Sequence, residues 1–300
     1  MNLGICNWSS LYKFTDQDLL TEGFDKIHQN FNCFNTLKIY LGKRSSKTYS
    51  IQDVDTTKMR LVDIAKLQEY TSIFSAIKSF STIIIVCHST HREKSNYWNK
   101  ECTDEDMKNE EDEFADLADY LRTFPDKLFI LQNWESDNYK DNTELATKNM
   151  IRWIKHRQEG IDRFRKLPTN KGSYDNVYHA IEVNRVLQST SIIYDVIPRV
   201  RVDLVSYSCY ETQEHPELFE KAVQLILQSI HRERNYCNGV PKCLDRFPVP
   251  LYIGEFGVNH NKRKSFHVAQ TLYNVISISR SYGLPYANFW NLYNNQLCNN

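Results

Sequence analysis

The chain has 300 residues, of which 41% are hydrophobic and 25% charged, as expected for a globular protein with a sizeable buried core. Its 37 basic and 37 acidic residues give a net charge of zero, which argues against a nucleic acid or anionic membrane as partner. No run approaches the roughly 18 apolar residues of a membrane-spanning helix.

Short β-branched or aromatic runs alternate with longer amphipathic segments along the whole chain. The first helix is predicted from Thr15, which caps it and forms a capping box with Asp18 three residues on. Further helices are predicted at about 59–78, from 104, and at 141–166, 183–191, 216–232 and 264–281. The predicted strands are Leu3–Trp8, Thr36–Leu41, Thr82–His88, Leu128–Gln132, Val177–Ile181, Asp203–Tyr207, Pro250–Glu255 and Tyr286–Leu292.

Eight β–α units without a glycine-rich phosphate loop favour a closed barrel over a doubly wound sheet. The sequence therefore predicts the α/β class and a single (β/α)8 TIM-barrel domain spanning residues 1–300. Loop insertions are expected after strands 2, 3 and 6, and a monomer is favoured.

Cysteine usage does not fix the cellular compartment. Cys6, Cys87 and Cys209 fall in predicted strands and are expected to be buried thiols, whereas Cys237 and Cys243 leave open whether a local disulfide forms. No basic-then-apolar signal segment is present, and the first strand begins within three residues of Met1. We expect a mature secreted form rather than a cytoplasmic one.

Polar and aromatic residues accumulate where the predicted strands end, the place where barrel enzymes carry their chemistry. Amides and carboxylates bond hydroxyl groups, and aromatic faces cover the C–H surface of a sugar, so a neutral carbohydrate is the expected ligand. These residues are Trp8, His88, Asn133, Trp134, Glu135, Glu182, Asn184, Tyr207, Tyr210, Glu255, Asn259, Trp290 and Tyr293.

Two of these residues, Glu135 and Glu255, follow strands 4 and 7, which lie across the barrel from each other. Retaining glycoside hydrolysis requires two carboxyl groups about 5–5.5 Å apart. By itself Glu135 also fits an exposed loop residue, whereas Glu255, between Gly254 and Phe256, is expected to be partly buried and to have a partner or a task.

Several short stretches in this order resemble the clan A glycoside hydrolases, and more narrowly uncharacterised cellulase-like proteins. The resemblance implies that Glu135 is the general acid/base and Glu255 the nucleophile of a double displacement. The matching stretches are 129–135, 179–184, 203–208, 252–257 and Trp290.

The resemblance also implies a set of substrate contacts. Asn133 would bond the sugar 2-hydroxyl, Tyr207 would bond the nucleophile, and Trp290 would lie under the sugar at the cleavage point. Two departures stand out: Trp134 separates Asn133 from the acid/base, and the arginine expected near strand 2 is replaced by Lys38 or Arg44 at best.

Further candidates for the substrate-binding set are Trp134, His88, Glu182 and Asn184. His88 also fits a structural histidine, and Glu182 a helix-start carboxylate. No cofactor is expected, and the absence of a His-x-x-x-His pair predicts no catalytic metal.

Two other functions remain compatible with the sequence. A glycan-binding barrel without turnover would use the same aromatic rim, and the intervening Trp134 supports it. A lyase or aldolase would require a lysine inside the barrel, and only Lys38 is placed even loosely for that.

Overall fold

The computed structural model describes residues 1–77, 79–90, 97–138, 140–165, 175–188, 192–234, 246–258 and 265–293. Eight parallel strands pair in chain order, and β8 pairs with β1 to close a single barrel. This confirms the predicted (β/α)8 architecture. The strands are β1 Asn2–Cys6, β2 Thr36–Leu41, β3 Thr82–Cys87, β4 Leu128–Gln132, β5 Val177–Val183, β6 Leu204–Ser208, β7 Leu251–Phe256 and β8 Tyr286–Phe289.

Helices surround this barrel and alternate with its strands. They are α1 Leu19–Asn30, α2 Ser45–Tyr49, α3 Leu61–Ala65, α4 Gln68–Ser75, α5 Asp104–Leu121, α6 Glu144–Arg165, α7 Pro216–Arg234 and α8 Ser265–Ser281. Within the described ranges, no helix is long and apolar enough to cross a membrane.

The start of α1 differs from the prediction. Asp18, not Thr15, is the N-cap, and its carboxylate accepts from the amide of Thr21 at 2.8 Å. The Thr15 hydroxyl instead donates to Glu22, 2.6 Å away. Because Glu22 binds the preceding loop, that loop runs on to Asp18 before the helix begins.

Two other helix predictions are corrected. The helix predicted at 59–78 is divided into α3 and α4, which share the buried face that the apolar spacing indicated. The helix predicted at 183–191 is wrong over the described part, because β5 extends to Val183 and residues 186–188 form a turn. A π-helix follows at Ile192–Val196.

Side chains along each strand alternate between the interior and the outside of the barrel, and those in the interior form two zones. Apolar residues, including Ile84, Ile130 and Tyr252, fill the zone toward the N-terminal ends of the strands. Above them lies a buried polar layer that includes Lys38 and Glu182. This polar layer faces the C-terminal mouth, so it lies between the apolar core and the candidate site.

Cys6, Cys87 and Cys209 are buried free thiols, as predicted. Cys237 and Cys243 lie outside the described residues, as do residues 91–96 of the insertion predicted after β3.

Candidate active site at the barrel mouth

Both predicted carboxylates lie at the C-terminal end of the barrel. Glu255 belongs to β7 and is 2% exposed, while Glu135 follows β4 by three residues and is 5% exposed. Near-complete burial excludes the alternative that Glu135 is an exposed loop residue.

A local irregularity in β7 turns Glu255 toward the interior. Gly254 already faces inward, since a Cβ there would approach the Ser206 hydroxyl to 2.0 Å, and a regular strand would turn the next side chain outward. The pairing register shifts between Tyr207 and Ser208 on β6 and between Ile253 and Phe256 along β7. Such irregularities re-aim side chains, and here Glu255 points to the barrel axis.

The Lys38 ammonium occupies the centre of the polar layer. Its Nζ lies 2.7 Å from Oε1 of Glu182 and 2.7 Å from Oε1 of Glu255, and it donates to the carbonyl of Gly254 at 3.3 Å. Lys38 and Glu182 are fully buried. One cation between two carboxylates lowers the cost of burying both charges.

Glu182 connects this ion pair to the other side of the mouth. Its Oε1 also accepts from the Ser206 hydroxyl at 2.9 Å, and its Oε2 accepts from the backbone amide of Glu135 at 3.4 Å. Glu182 is thus fully buried and supports Glu135 and Lys38, and its predicted place in the cleft lining stays a prediction.

Tyrosine bonding to Glu255 also differs from the prediction. Tyr207 does not bond Glu255, because its neighbour Ser206 faces the interior and its own ring stacks on Phe219 of α7, with centroids 6.3 Å apart. Its hydroxyl lies 2.8 Å from that of Thr212. Tyr210, beyond the strand end, donates to Oε2 of Glu255 at 3.1 Å instead.

The two glutamates have different electrostatic surroundings. Burial, together with the negative charges of Glu255 and Glu182, raises the pKa of Glu135 to about 9. Burial also raises the pKa of Glu255, but the Lys38 ammonium opposes that rise. The pKa of Glu255, raised to about 7, stays below that of Glu135, so Glu255 ionises at a lower pH than Glu135 does.

Asn133 makes its hydrogen bonds within the protein, and its predicted contact with a sugar hydroxyl stays a prediction. It is buried, its Nδ2 donates to the Trp134 carbonyl at 3.0 Å and to the Ser136 hydroxyl, and its Oδ1 accepts from the amide of Glu182 at 3.3 Å. Asn133 braces the end of β4 against β5. Asn138, four residues after Trp134, donates to Oε2 of Glu135.

An aromatic row extends around the mouth from β8 to β3. Ring centroids are 5.5 Å apart between Trp290 and Trp8, 5.2 Å between Trp8 and Tyr40, and 5.1 Å between Tyr40 and His88. The two tryptophans and His88 are half-buried, and so is Trp134 beside Glu135. Burial lowers the pKa of His88 to about 4, so this ring is neutral and available for hydrogen bonding.

The remaining candidates contribute less. Asn184 is half-buried, and its amide donates to Asp137 at 2.9 Å, so its backbone is held at the β5 end. Asn259 lies outside the described residues. Glu111, His156 and Glu159 lie close enough to share a cation, but they are on α5 and α6, away from the mouth, and Arg163 already pairs with Glu111.

Three functional neighbours of the glutamates were missed or undervalued from the sequence: Lys38, Tyr210 and Asn138. A usable signal existed for Lys38, since it is the one charge in the otherwise uncharged strand Thr36–Leu41. A charge within a strand that is covered on both faces requires a buried partner.

No family model and no curated protein matches the chain. Solved structures do. The "GH5-4 broad specificity endoglucanase" from Clostridium cellulovorans is 13% identical with a TM-score of 0.61, over 96% of this chain and 84% of that one. A GH5-4 broad specificity endoglucanase from Clostridium acetobutylicum is 13% identical with a TM-score of 0.58, over 99% of this chain and 89% of that one.

A third similar structure is a GH5_18 variant from Bifidobacterium longum subsp. longum in complex with Manβ1-4GlcNAc. It is 9% identical with a TM-score of 0.56, over 97% of this chain and 69% of that one. The likeness to the barrels of glycoside hydrolases that the sequence indicated is thus confirmed at the level of the fold.

Proposed function

We propose that the protein is a retaining glycoside hydrolase that cleaves an O-glycosidic bond of a neutral carbohydrate. One observation carries this proposal: two buried glutamates at the ends of β4 and β7 have environments that separate their protonation states. Pairs of titratable groups whose pKa values are driven apart are typical of acid and base assignments. The similar solved structures that are named endoglucanases support the same class of enzyme.

In the first step, a carboxylate oxygen of Glu255 attacks the anomeric carbon while the bond from that carbon to the leaving oxygen breaks. The proton of Glu135 passes to the leaving oxygen. Lys38 and Tyr210 hold Glu255 in position and favour its ionised form. In the second step, Glu135 takes a proton from water, whose oxygen bonds to the anomeric carbon and releases Glu255.

The connection between the two glutamates supports the close spacing that this mechanism requires. Glu182 accepts from the Glu135 amide and pairs with Lys38, which in turn pairs with Glu255. One continuous set of polar contacts therefore joins the ends of β4 and β7. Half-buried Trp290 and Trp8 beside it provide faces for the sugar ring.

The proposal is tested by trapping the covalent intermediate. A panel of activated 2-fluoro sugars should label Glu255, identified by mass spectrometry of the digested protein, and the sugar that labels fastest reveals the preference at the cleavage point. Glu255→Gln should abolish both labelling and turnover. Glu105→Gln, at an exposed glutamate of α5, is the control and should keep both.

A glycan-binding barrel without turnover is the second candidate, and one observation favours it. Both carboxylate oxygens of Glu255 already accept hydrogen bonds, one from Lys38 and one from Tyr210. Under this alternative, the folded protein would bind oligosaccharides without releasing reducing ends, and no panel sugar would label Glu255.

A further inference from the structure

We propose that Tyr12 and Phe14 form an outer sugar platform, which binds a unit of a neutral oligosaccharide chain extending out of the mouth past Trp290. This inference rests on the proposed function and goes beyond it, since it makes the substrate an extended chain rather than a single sugar unit. The platform lies on the loop between β1 and α1.

Both aromatic side chains are unusually open to solvent. Tyr12 is 42% exposed and Phe14 64%, although large aromatic residues usually bury most of their surface. They lie together edge to face, with ring centroids 5.4 Å apart and an interplanar angle of 81°, so they offer two adjoining faces at a right angle. An exposed apolar patch of neighbouring residues is typical of a ligand or partner site.

The loop that carries these rings is held in place by a buried carboxylate. Oε2 of Glu22 accepts from the amide of Phe14 at 2.9 Å, and also from the amide and hydroxyl of Thr15. Its Oε1 accepts from the hydroxyl of Tyr293 at 2.7 Å. The rings are therefore presented on a fixed backbone, which lowers the entropy cost of binding a ligand.

Buried Tyr293 forms the floor of the platform. Its ring centroid is 6.2 Å from that of Phe14, with an interplanar angle of 24°, and 5.8 Å from that of Tyr12. One face of Phe14 thus rests on Tyr293 while most of the ring stays open. The Lys26 ammonium lies 5.7 Å from the Phe14 centroid and supplies a donor for a sugar hydroxyl.

The platform is continuous with the candidate active site. Tyr293 lies three residues after Trp290, and the amide of Leu292 between them donates to the Cys6 carbonyl at 3.0 Å. On the other side, the amide of Trp8 donates to the Asn291 side chain at 3.3 Å. The segments 8–14 and 290–293 therefore leave the mouth together.

This continuity selects a sugar over the other occupants of an aromatic patch. A chain that rests on Trp290 and Trp8 passes next over the segment that bears Tyr12 and Phe14. Flat rings with a nearby donor suit a neutral sugar, and the zero net charge of the protein gives no attraction for a charged partner.

The test measures affinity against chain length. In a Glu135→Gln background, which stops turnover, cello- and manno-oligosaccharides of two to six units are titrated by calorimetry. Affinity should rise with length, and Tyr12→Ala with Phe14→Ala should weaken binding of the longest members about ten-fold but of the shortest less than two-fold. Tyr273→Ala, at a 67% exposed tyrosine of α8, is the matched control and should change neither.

The contrary outcomes are distinct. If the double variant matches its parent at every length, the platform is refuted while the proposed function stands. Equal weakening at every length refutes an outer position. If the parent binds no member of either series, the proposed function fails for these chains and the platform fails with it. Thermal melting of each variant verifies the fold, which two exposed substitutions should leave unchanged.

Discussion

At the residue scale, the candidate site depends on how one cation is shared. Lys38 contacts Glu182 and Glu255 directly, whereas Glu135 reaches this ion pair only through its backbone amide. Because Coulomb attraction weakens with distance, the ammonium favours the charged form of Glu255 more than that of Glu135. The arginine that the family resemblance implied near strand 2 is replaced here by a lysine with the same sign of charge.

Removing this cation should move the acid limb of the pH–rate profile. In the proposed mechanism Glu255 must be ionised, so activity falls as pH drops through its pKa. Lys38→Met combined with Glu182→Gln removes the ammonium without leaving Glu182 charged and unpaired. We expect the acid limb of kcat/KM to move upward by about one pH unit or more. An unchanged acid limb would contradict a role for Lys38 in the ionisation of Glu255.

The raised pKa of Glu135 should lower the stability of the folded protein near neutral pH, where the proposed mechanism uses the proton of Glu135. Its pKa is about 9 in the folded protein against an ordinary 4.5, so between these values the folded state holds a proton that the unfolded state has released. Stability therefore falls as pH rises through this range, and Glu135→Gln removes that dependence.

We expect the free energy of unfolding of Glu135→Gln to exceed that of the parent by about 1–2 kcal/mol at pH 8. Near pH 4.5 the two free energies should be nearly equal. Urea denaturation at the two pH values measures this. Exposed Glu105→Gln on α5 serves as control and should match the parent at both. A difference of equal size at both pH values would point to packing rather than protonation.

Sequence position predicted the two glutamates but not the side chains around them. Strand order alone identifies the rim on which Glu135 and Glu255 lie. Tyr207 and Tyr210 are both near the end of β6, and only the facing of the strand shows which one reaches Glu255. The contacts of Asn133 were unpredicted for a related reason, because the side-chain oxygen of Asn133 accepts from the backbone amide of Glu182 on the neighbouring strand.

At the element scale, strands were predicted more accurately than helix boundaries. The ranges of β2 and β4 agree fully, since apolar runs bounded by polar turns mark strands covered on both faces. The start of α1 was misplaced because Glu22, four residues into the helix, organises the preceding loop. Such a contact depends on tertiary structure and leaves no local sequence signal.

Helices α5 and α6 are joined to the end of β3 by one buried arginine. Arg157 is fully buried, and its Nε donates to Glu110 of α5 at 2.7 Å. Its other nitrogens donate to the Cys87 carbonyl and the Ser89 hydroxyl, each at 3.2 Å. The guanidinium carbon lies 3.7 Å from the ring centroid of Trp153. This cluster fixes the strand end next to His88.

Arg157→Met should destabilise the protein by about 3–5 kcal/mol, because it leaves the Glu110 charge buried without its partner. Combining it with Glu110→Leu should recover most of that loss, since two apolar side chains then pack where two charges were. Guanidinium denaturation of both variants measures the free energies. A double variant no more stable than the single one would show that packing, not the stranded charge, sets the cost.

At the scale of the whole molecule, closure of the barrel depends on a close approach between its first and last strands. β1 pairs with β8 from Asn2 to Ile5, and Gly4 lies opposite Asn288. A Cβ on Gly4 would come within 2.0 Å of the Asn288 side-chain oxygen and 2.9 Å of the Thr36 Cβ. Asn288 has little freedom to move, because its Nδ2 donates to the Ile253 carbonyl at 3.0 Å.

Gly4→Ala should therefore weaken closure and destabilise the entire barrel by about 3 kcal/mol, the upper end of the usual cost of overpacking. Gly283→Ala is the control: its positive φ of 69° adds local strain, but a Cβ there meets nothing closer than 3.7 Å. We expect that control to lose only about 1 kcal/mol. Urea unfolding followed by near-ultraviolet circular dichroism compares the two. Equal losses would mean that the Gly4 contact can relax, and that the seam between β1 and β8 has more room than the packing of Asn288 indicates.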